Sequence, residues 1–213
     1  MSARRRLIVL VAAIAFGLLA GAVHGNDGGL RGALGNLSAP WLLVAIIPAW
    51  RSRSWKRGAV LGLVATLAAL LGFYVAMTLE MTGHLGNVDG NFFHLLRYVV
   101  TANRVWFAAG LISGPTCGAV SGALGARRNA LWLGLVIGAL MIGELVLMKL
   151  IAYLPLPLLG THAGWANGDW RAYYLQGVAG LLVASTSALA WKSGLCSAPA
   201  SDAAGPTTGP GTL

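Results

Sequence analysis

Fifteen lysine and arginine residues occur in this 213-residue chain, and ten of them stand in four clusters that alternate with long apolar runs. The clusters are Arg4, Arg5 and Arg6; Arg51, Arg53, Lys56 and Arg57; Arg127 and Arg128; and Lys192. An apolar run of about 20 residues is long enough to cross the hydrocarbon core as a helix. Charge confined to the ends of such runs is the layout of a polytopic membrane protein. Cationic loops are retained on the cytoplasmic side, so all four clusters are expected there.

Composition agrees: 57% of residues are hydrophobic and 10% charged, against roughly a quarter charged in soluble domains. A soluble fold would lack polar surface. The net charge of +9 is not read as a nucleic-acid footprint, because the basic residues flank apolar runs and form no exposed stripe interleaved with aromatics. One transmembrane domain over residues 1–192 leaves no room for a separate soluble catalytic domain. Cys117 lies in an apolar run and Cys196 in the C-terminal tail, so no disulfide framework is expected.

Six spans are predicted, over residues 7–23, 37–50, 58–79, 104–124, 130–153 and 173–191. The first follows three arginines and reads either as a retained helix or as a signal peptide cleaved near Ala20 and Ala22; its length favours the helix. The second is short and carries Pro48. Ser38 before Ala39 and Pro40 resembles a helix start. If this segment did not cross, the RSRSWKR loop would lie opposite the arginine-rich N-terminus, so a span is expected, kinked or extended back toward Leu30. Trp41, Trp50, Trp55, Trp106, Trp132, Trp170 and Trp191 all fall near predicted span ends, where an indole buries its ring and hydrates its N–H. Residues 193–213, rich in Gly, Pro, Ser, Thr and Ala, are expected to be a disordered cytoplasmic tail.

Small residues recur at helical spacing: Gly17 and Gly21, Gly58 and Gly62, Gly134 and Gly138, and Gly114, Gly118 and Gly122. In lipid such ridges allow close helix approach. The plainer use is packing within one subunit; the sharper one is docking of a second copy or another membrane protein. The fourth span is expected at the bundle centre, with a kink at Pro115.

Glu144, between Gly143 and Leu145 in the fifth span, is the outstanding polar position. A carboxylate there costs about 2.5 kcal/mol or more on insertion scales, so it should face the interior with a partner or be protonated. Lys149 is five residues on, about 140° around the helix, and does not share its face. His94, Arg97, Thr101 and Arg104 are spaced three, four and three apart and share one face of an amphipathic helix leading into the fourth span. They read as a solvated or headgroup-contacting face, or as a basic vestibule for an anionic group. His24, His84, His94 and His162 lie on the predicted outer side, but none has the close spacing of a helical metal motif. No metal or other cofactor is expected. No phosphate-cradling loop, zinc-protease pattern or serine elbow is present.

The segments LGNLSAPWLLVA, LLGFYVAM, SGPTCGAVSGALGARR and LVIGALMIGELVL together resemble an uncharacterised family of small bacterial integral membrane proteins, the domain of unknown function 6518 family, over roughly residues 10 to 190. The resemblance implies a multi-span bacterial membrane protein with a glutamate in its penultimate span, here Glu144. It brings no established activity or substrate.

The sequence therefore leads us to expect an all-α bundle of about six transmembrane helices in a bacterial cytoplasmic membrane, with both termini cytoplasmic. The lipid bilayer is its first partner. The leading functional expectation is that the bundle binds or moves a small solute or ion, with Glu144 as the intramembrane group and Arg97, Arg104 and His94 as the outer approach. The alternative is a non-catalytic subunit docking a second copy or another membrane protein through Gly58, Gly62, Gly114, Gly118 and Gly122. A membrane-embedded enzyme acting on a lipid-soluble substrate is third. A transporter should show a cavity reaching Glu144, a docking subunit an exposed glycine groove, and an enzyme a second acid or base beside Glu144.

Overall fold

In the computed structural model the apolar runs fold as helices, and it describes residues 3–24, 30–35, 37–84, 91–126, 130–153 and 170–192. The helices are α1 (Ala3–His24), α2 (Leu30–Gly35), α3 (Ser38–Trp50), α4 (Trp55–His84), α5 (Phe92–Ala102), α6 (Arg104–Ala126), α7 (Ala130–Tyr153) and α8 (Trp170–Lys192). Five of them, α1, α4, α6, α7 and α8, are long and apolar enough to cross a membrane. The tail at 193–213, together with Arg127 and Arg128, lies outside the described residues. Helix α6 runs unbroken through Pro115.

The second expected span departs from a full crossing helix. Helix α3 has 13 residues and is about 20 Å long, short of the roughly 30 Å core. Pro40 sits in its first turn. With no N–H and a ring that crowds the carbonyl four residues back, proline begins a helix readily but does not let it extend toward the N-terminus. Leu37 accordingly stands in extended conformation, with φ −63° and ψ 127°, and the six-residue α2 precedes it. At this end Gly35 lies against His24, the last residue of α1; a Cβ on Gly35 would come 2.7 Å from the His24 Cα. At the far end Trp50 and Arg5 border one pocket. The two ends of this stretch thus lie near the two ends of α1.

Large apolar side chains lie outside and small ones inside. Leu7, Ile47, Ile112, Leu175 and Leu189 are exposed, whereas Ala45, Ala49, Ala65, Ala69 and Ala172 are fully buried. Lipid rather than water explains this inversion, since helices in a bilayer associate by close packing of small residues. Helix α4 is central and packs on α1, α3 and α6. Its Gly58 and Gly62 meet Gly114, Gly118 and Gly122 of α6 so closely that a methyl on Gly58 or Gly118 would overlap the other's carbonyl. The glycine ridges therefore serve contacts within this chain. Ser121 of α6, also fully buried, donates its hydroxyl to the Ile46 carbonyl of α3 at 2.8 Å.

Helices α7 and α8 form a hairpin, Gly138 against Gly180 and Gly134 against Ser187. The hairpin meets the rest of the bundle most closely around the start of α3, where Leu37 packs with Ala172 and Tyr173. Arg5, Arg51, Arg53 and Gly125 border one pocket, and the facing of Gly134 with Ser187 brings the Lys192 end of α8 beside the start of α7. The start of α1, the α3–α4 turn and the end of α6 thus gather at one end of the bundle, which we call the Arg5 end; His24 and Gly35 mark the other.

Candidate functional site

The first N–H groups of any helix have no partner within it. For α3 this is acute, because the start lies inside the bundle and Leu37 supplies no side-chain cap. Glu144 fills the gap: the Ser38 N–H donates to its Oε1 at 2.8 Å. Gln176 of α8 donates from Nε2 to the Glu144 Oε2 at 2.5 Å, and to the Met141 carbonyl at 3.4 Å. The carboxylate is only 8% exposed and also lies at the positive end of the α3 dipole. Its two oxygens are engaged by the protein's own donors. Lys149, as its helical offset anticipates, turns away and lies over the rings of Trp170 at 4.1 Å and Tyr174 at 5.3 Å.

Beside this junction is a cavity of about 300 Å³ that Ser38 also lines, between α1, the α2–α3 link, α4 and α6. Aromatic rings form part of its walls. Trp41 and Phe73 meet edge to face at 5.3 Å, His24 packs on Phe73 at 5.6 Å, and Tyr74 and Trp106 complete the enclosure. Two polar atoms of the lining have no hydrogen-bond partner: His24 Nδ1 and Thr66 Oγ1.

Thr66 is the telling residue. In an apolar helix a threonine hydroxyl ordinarily satisfies itself on the carbonyl four residues back. Thr78, Thr101 and Thr116 do this at 2.7 Å and Thr186 at 2.8 Å. Thr66 is 5% exposed and does not. Its hydroxyl oxygen packs toward Gly114 of α6 at the cavity edge; a buried hydroxyl left unpaired costs about 1–3 kcal/mol, which a group reaching it on rotation of the side chain toward the cavity would recover.

The expected vestibule is built differently from the cavity. Asn91 caps α5 by accepting from the Phe93 N–H at 3.0 Å. At the other end Asn103 donates from Nδ2 to the Val99 carbonyl at 2.9 Å and turns the chain into α6. The lead-in is therefore two helices rather than one: His94, Arg97 and Thr101 belong to α5, and Arg104 opens α6. All four are exposed, while Val99 on the opposite face is buried. Helix α5 packs on α4 and α6, whereas α7 packs on α3, α6 and α8; the structure does not bring Glu144 together with His94, Arg97 and Arg104. Neither Glu144 nor these three lines the cavity.

Sequence reasoning passed over Thr66 and Trp41 as site residues and noted His24 only as one of four histidines. A short helix with proline in its first turn was the available signal, since it implies a helix start inside the bundle that needs an acceptor. Comparison with family models, with curated proteins and with solved structures finds no match. The resemblance to the domain of unknown function 6518 family rests on the quoted segments alone.

Proposed function

We propose that this chain is a six-crossing protein of a bacterial cytoplasmic membrane, both termini cytoplasmic, whose bundle binds a small, mainly apolar solute bearing one or two hydrogen-bonding groups. The observation that carries this reading is the unpaired Thr66 hydroxyl in a cavity walled in part by aromatic rings. Ligand pockets combine such apolar walls with a few placed polar groups, and about 300 Å³ is at the small end of their range. That volume suits a compact molecule better than a lipid.

In this reading α2, the extended link and α3 make the second crossing as a discontinuous helix. Membrane transporters place their solute sites at breaks of this kind. Glu144 acts as the fixed acceptor for the open end of α3, and the solute occupies the space between Thr66, His24 and the Trp41 and Trp106 rings. Arg97, Arg104 and His94 stand apart from that space as an exposed approach. The docking-subunit alternative has less support, since the glycine ridges face one another. The enzyme alternative also has less, since the described hydrogen-bond partners of Glu144 are a backbone and a side-chain amide.

The test is a thermal-shift screen of the purified chain against small neutral alcohols, phenols and amides, with Ser113→Leu alongside. Ser113 lines the cavity, and leucine there intrudes on it. A solute that stabilises the parent but not Ser113→Leu supports the reading; equal stabilisation of both sinks it.

A further inference from the structure

The end of the bundle opposite the cavity carries a second concave site. Arg5 of α1, with Arg51 and Arg53 of the turn between α3 and α4, borders a pocket of about 570 Å³ together with Trp50 and Gly125. Three arginines from two distant parts of the chain line one space. The acids among the described residues lie elsewhere: Glu144 caps the far end of α3, and Glu80 is near the far end of α4. No described carboxylate neutralises the three cations.

The turn that presents Arg51 and Arg53 is held in place. The Ser52 hydroxyl donates to the Ser54 carbonyl at 3.0 Å, and the Gly58 N–H donates to the same carbonyl at 2.7 Å. Gly122 of α6 gives the turn its seat, since a Cβ there would come 2.5 Å from the Ser54 oxygen. Arg53 itself has φ 50°, in the left-handed region where glycine is the default residue. An arginine kept at a glycine position, beside two others and an indole, points to a function for its side chain.

We infer that this pocket binds a phosphate-bearing anion, either the headgroup of an anionic lipid at the membrane boundary or a free phosphate. Guanidinium forks match phosphate oxygens in pairs, and basic pockets at the ends of membrane helices take acidic headgroups. Trp50 places the pocket at the depth where indoles line the bilayer interface. The inference depends on the membrane reading but is independent of the solute cavity.

The test is thermal unfolding of the full chain in neutral detergent. One arm compares phosphatidylglycerol with phosphatidylcholine; the other compares inorganic phosphate with chloride at equal ionic strength. The parent should be stabilised by phosphatidylglycerol if the source is lipid, and by inorganic phosphate if it is free anion. Removing one guanidinium should weaken the response about fivefold. Arg53→Gly is the decisive variant, because glycine suits the backbone there and the basal melting temperature should hold while the response falls. Lys56→Gln is the control: Lys56 is exposed, lies over Trp55 at 5.5 Å and is outside the pocket. The inference is overturned if neither anion differs from its comparator, or if Lys56→Gln weakens the response as much as Arg53→Gly.

Discussion

At the scale of single residues, Glu144 shows how an intramembrane carboxylate can be required for architecture. It joins α7 to the open end of α3 and, through Gln176, to α8. Glu144→Ala removes both acceptors and leaves the Ser38 N–H buried without a partner, so it should cost about 2 kcal/mol of stability. Glu144→Gln keeps an acceptor oxygen for Ser38 and should cost about 1 kcal/mol or less. Equilibrium unfolding in detergent micelles distinguishes the two. Equal losses would show that the charge, rather than the hydrogen bond, matters. The sequence made Glu144 conspicuous because its type and surroundings disagree. It could not name the partner, since Ser38 is 106 residues away and the donor is a backbone group that every residue type but proline carries. Thr66 was illegible for a related reason: five threonines of similar context satisfy themselves on nearby carbonyls of their own helix, and only the fold reveals that this one does not.

At the scale of elements, hydropathy located the five long helices because each apolar run is close to a membrane thickness, and length is what the bilayer selects. Their ends moved by a few residues, as with the third span, expected over 58–79 and found within α4 at Trp55–His84. The second predicted span resisted because its apolar run folds as the 13-residue α3, shorter than a crossing helix and started by Pro40. At the α5–α6 junction, where α6 begins at Arg104 as the fourth span was expected to, Asn103 interrupts a face whose spacing continues across it. Glycine spacing, by contrast, transferred directly into packing. Gly118→Val should push a branched side chain into the Gly58 carbonyl and cost about 2–3 kcal/mol. Gly143→Ala, where nothing lies within 4 Å of an added Cβ, should leave stability unchanged or raise it by up to about 1 kcal/mol through helix propensity. Melting temperatures of the two variants in the same detergent test this contrast; a harmless Gly118→Val would place the α4–α6 contact wrongly.

At the scale of the whole molecule, Arg5, Arg51 and Arg53 gather at one end, and the cavity reaches His24 and Gly35 at the other. If the Arg5 end faces the cytoplasm, a cysteine in place of exposed Tyr98 on α5 should react with an impermeant maleimide on intact cells. A cysteine in place of Lys56 should react only after permeabilisation. Both are made with Cys117 and Cys196 replaced by alanine, and the reverse pattern would invert the topology. Under the proposed reading the two ends divide the work, phosphate recognition at one and solute binding at the other, with α4 reaching both and the α7–α8 hairpin pinned at the Glu144 junction. The most direct test of this arrangement asks which group the solute answers to. Once a stabilising solute is in hand, its affinity is measured by calorimetric titration of the purified chain, in Thr66→Val and in Glu144→Gln. The account predicts that Thr66→Val weakens binding about 3- to 10-fold, the worth of one hydrogen bond, while Glu144→Gln binds as the parent does. Loss of binding in Glu144→Gln with Thr66→Val unaffected would contradict it and return the site to the carboxylate.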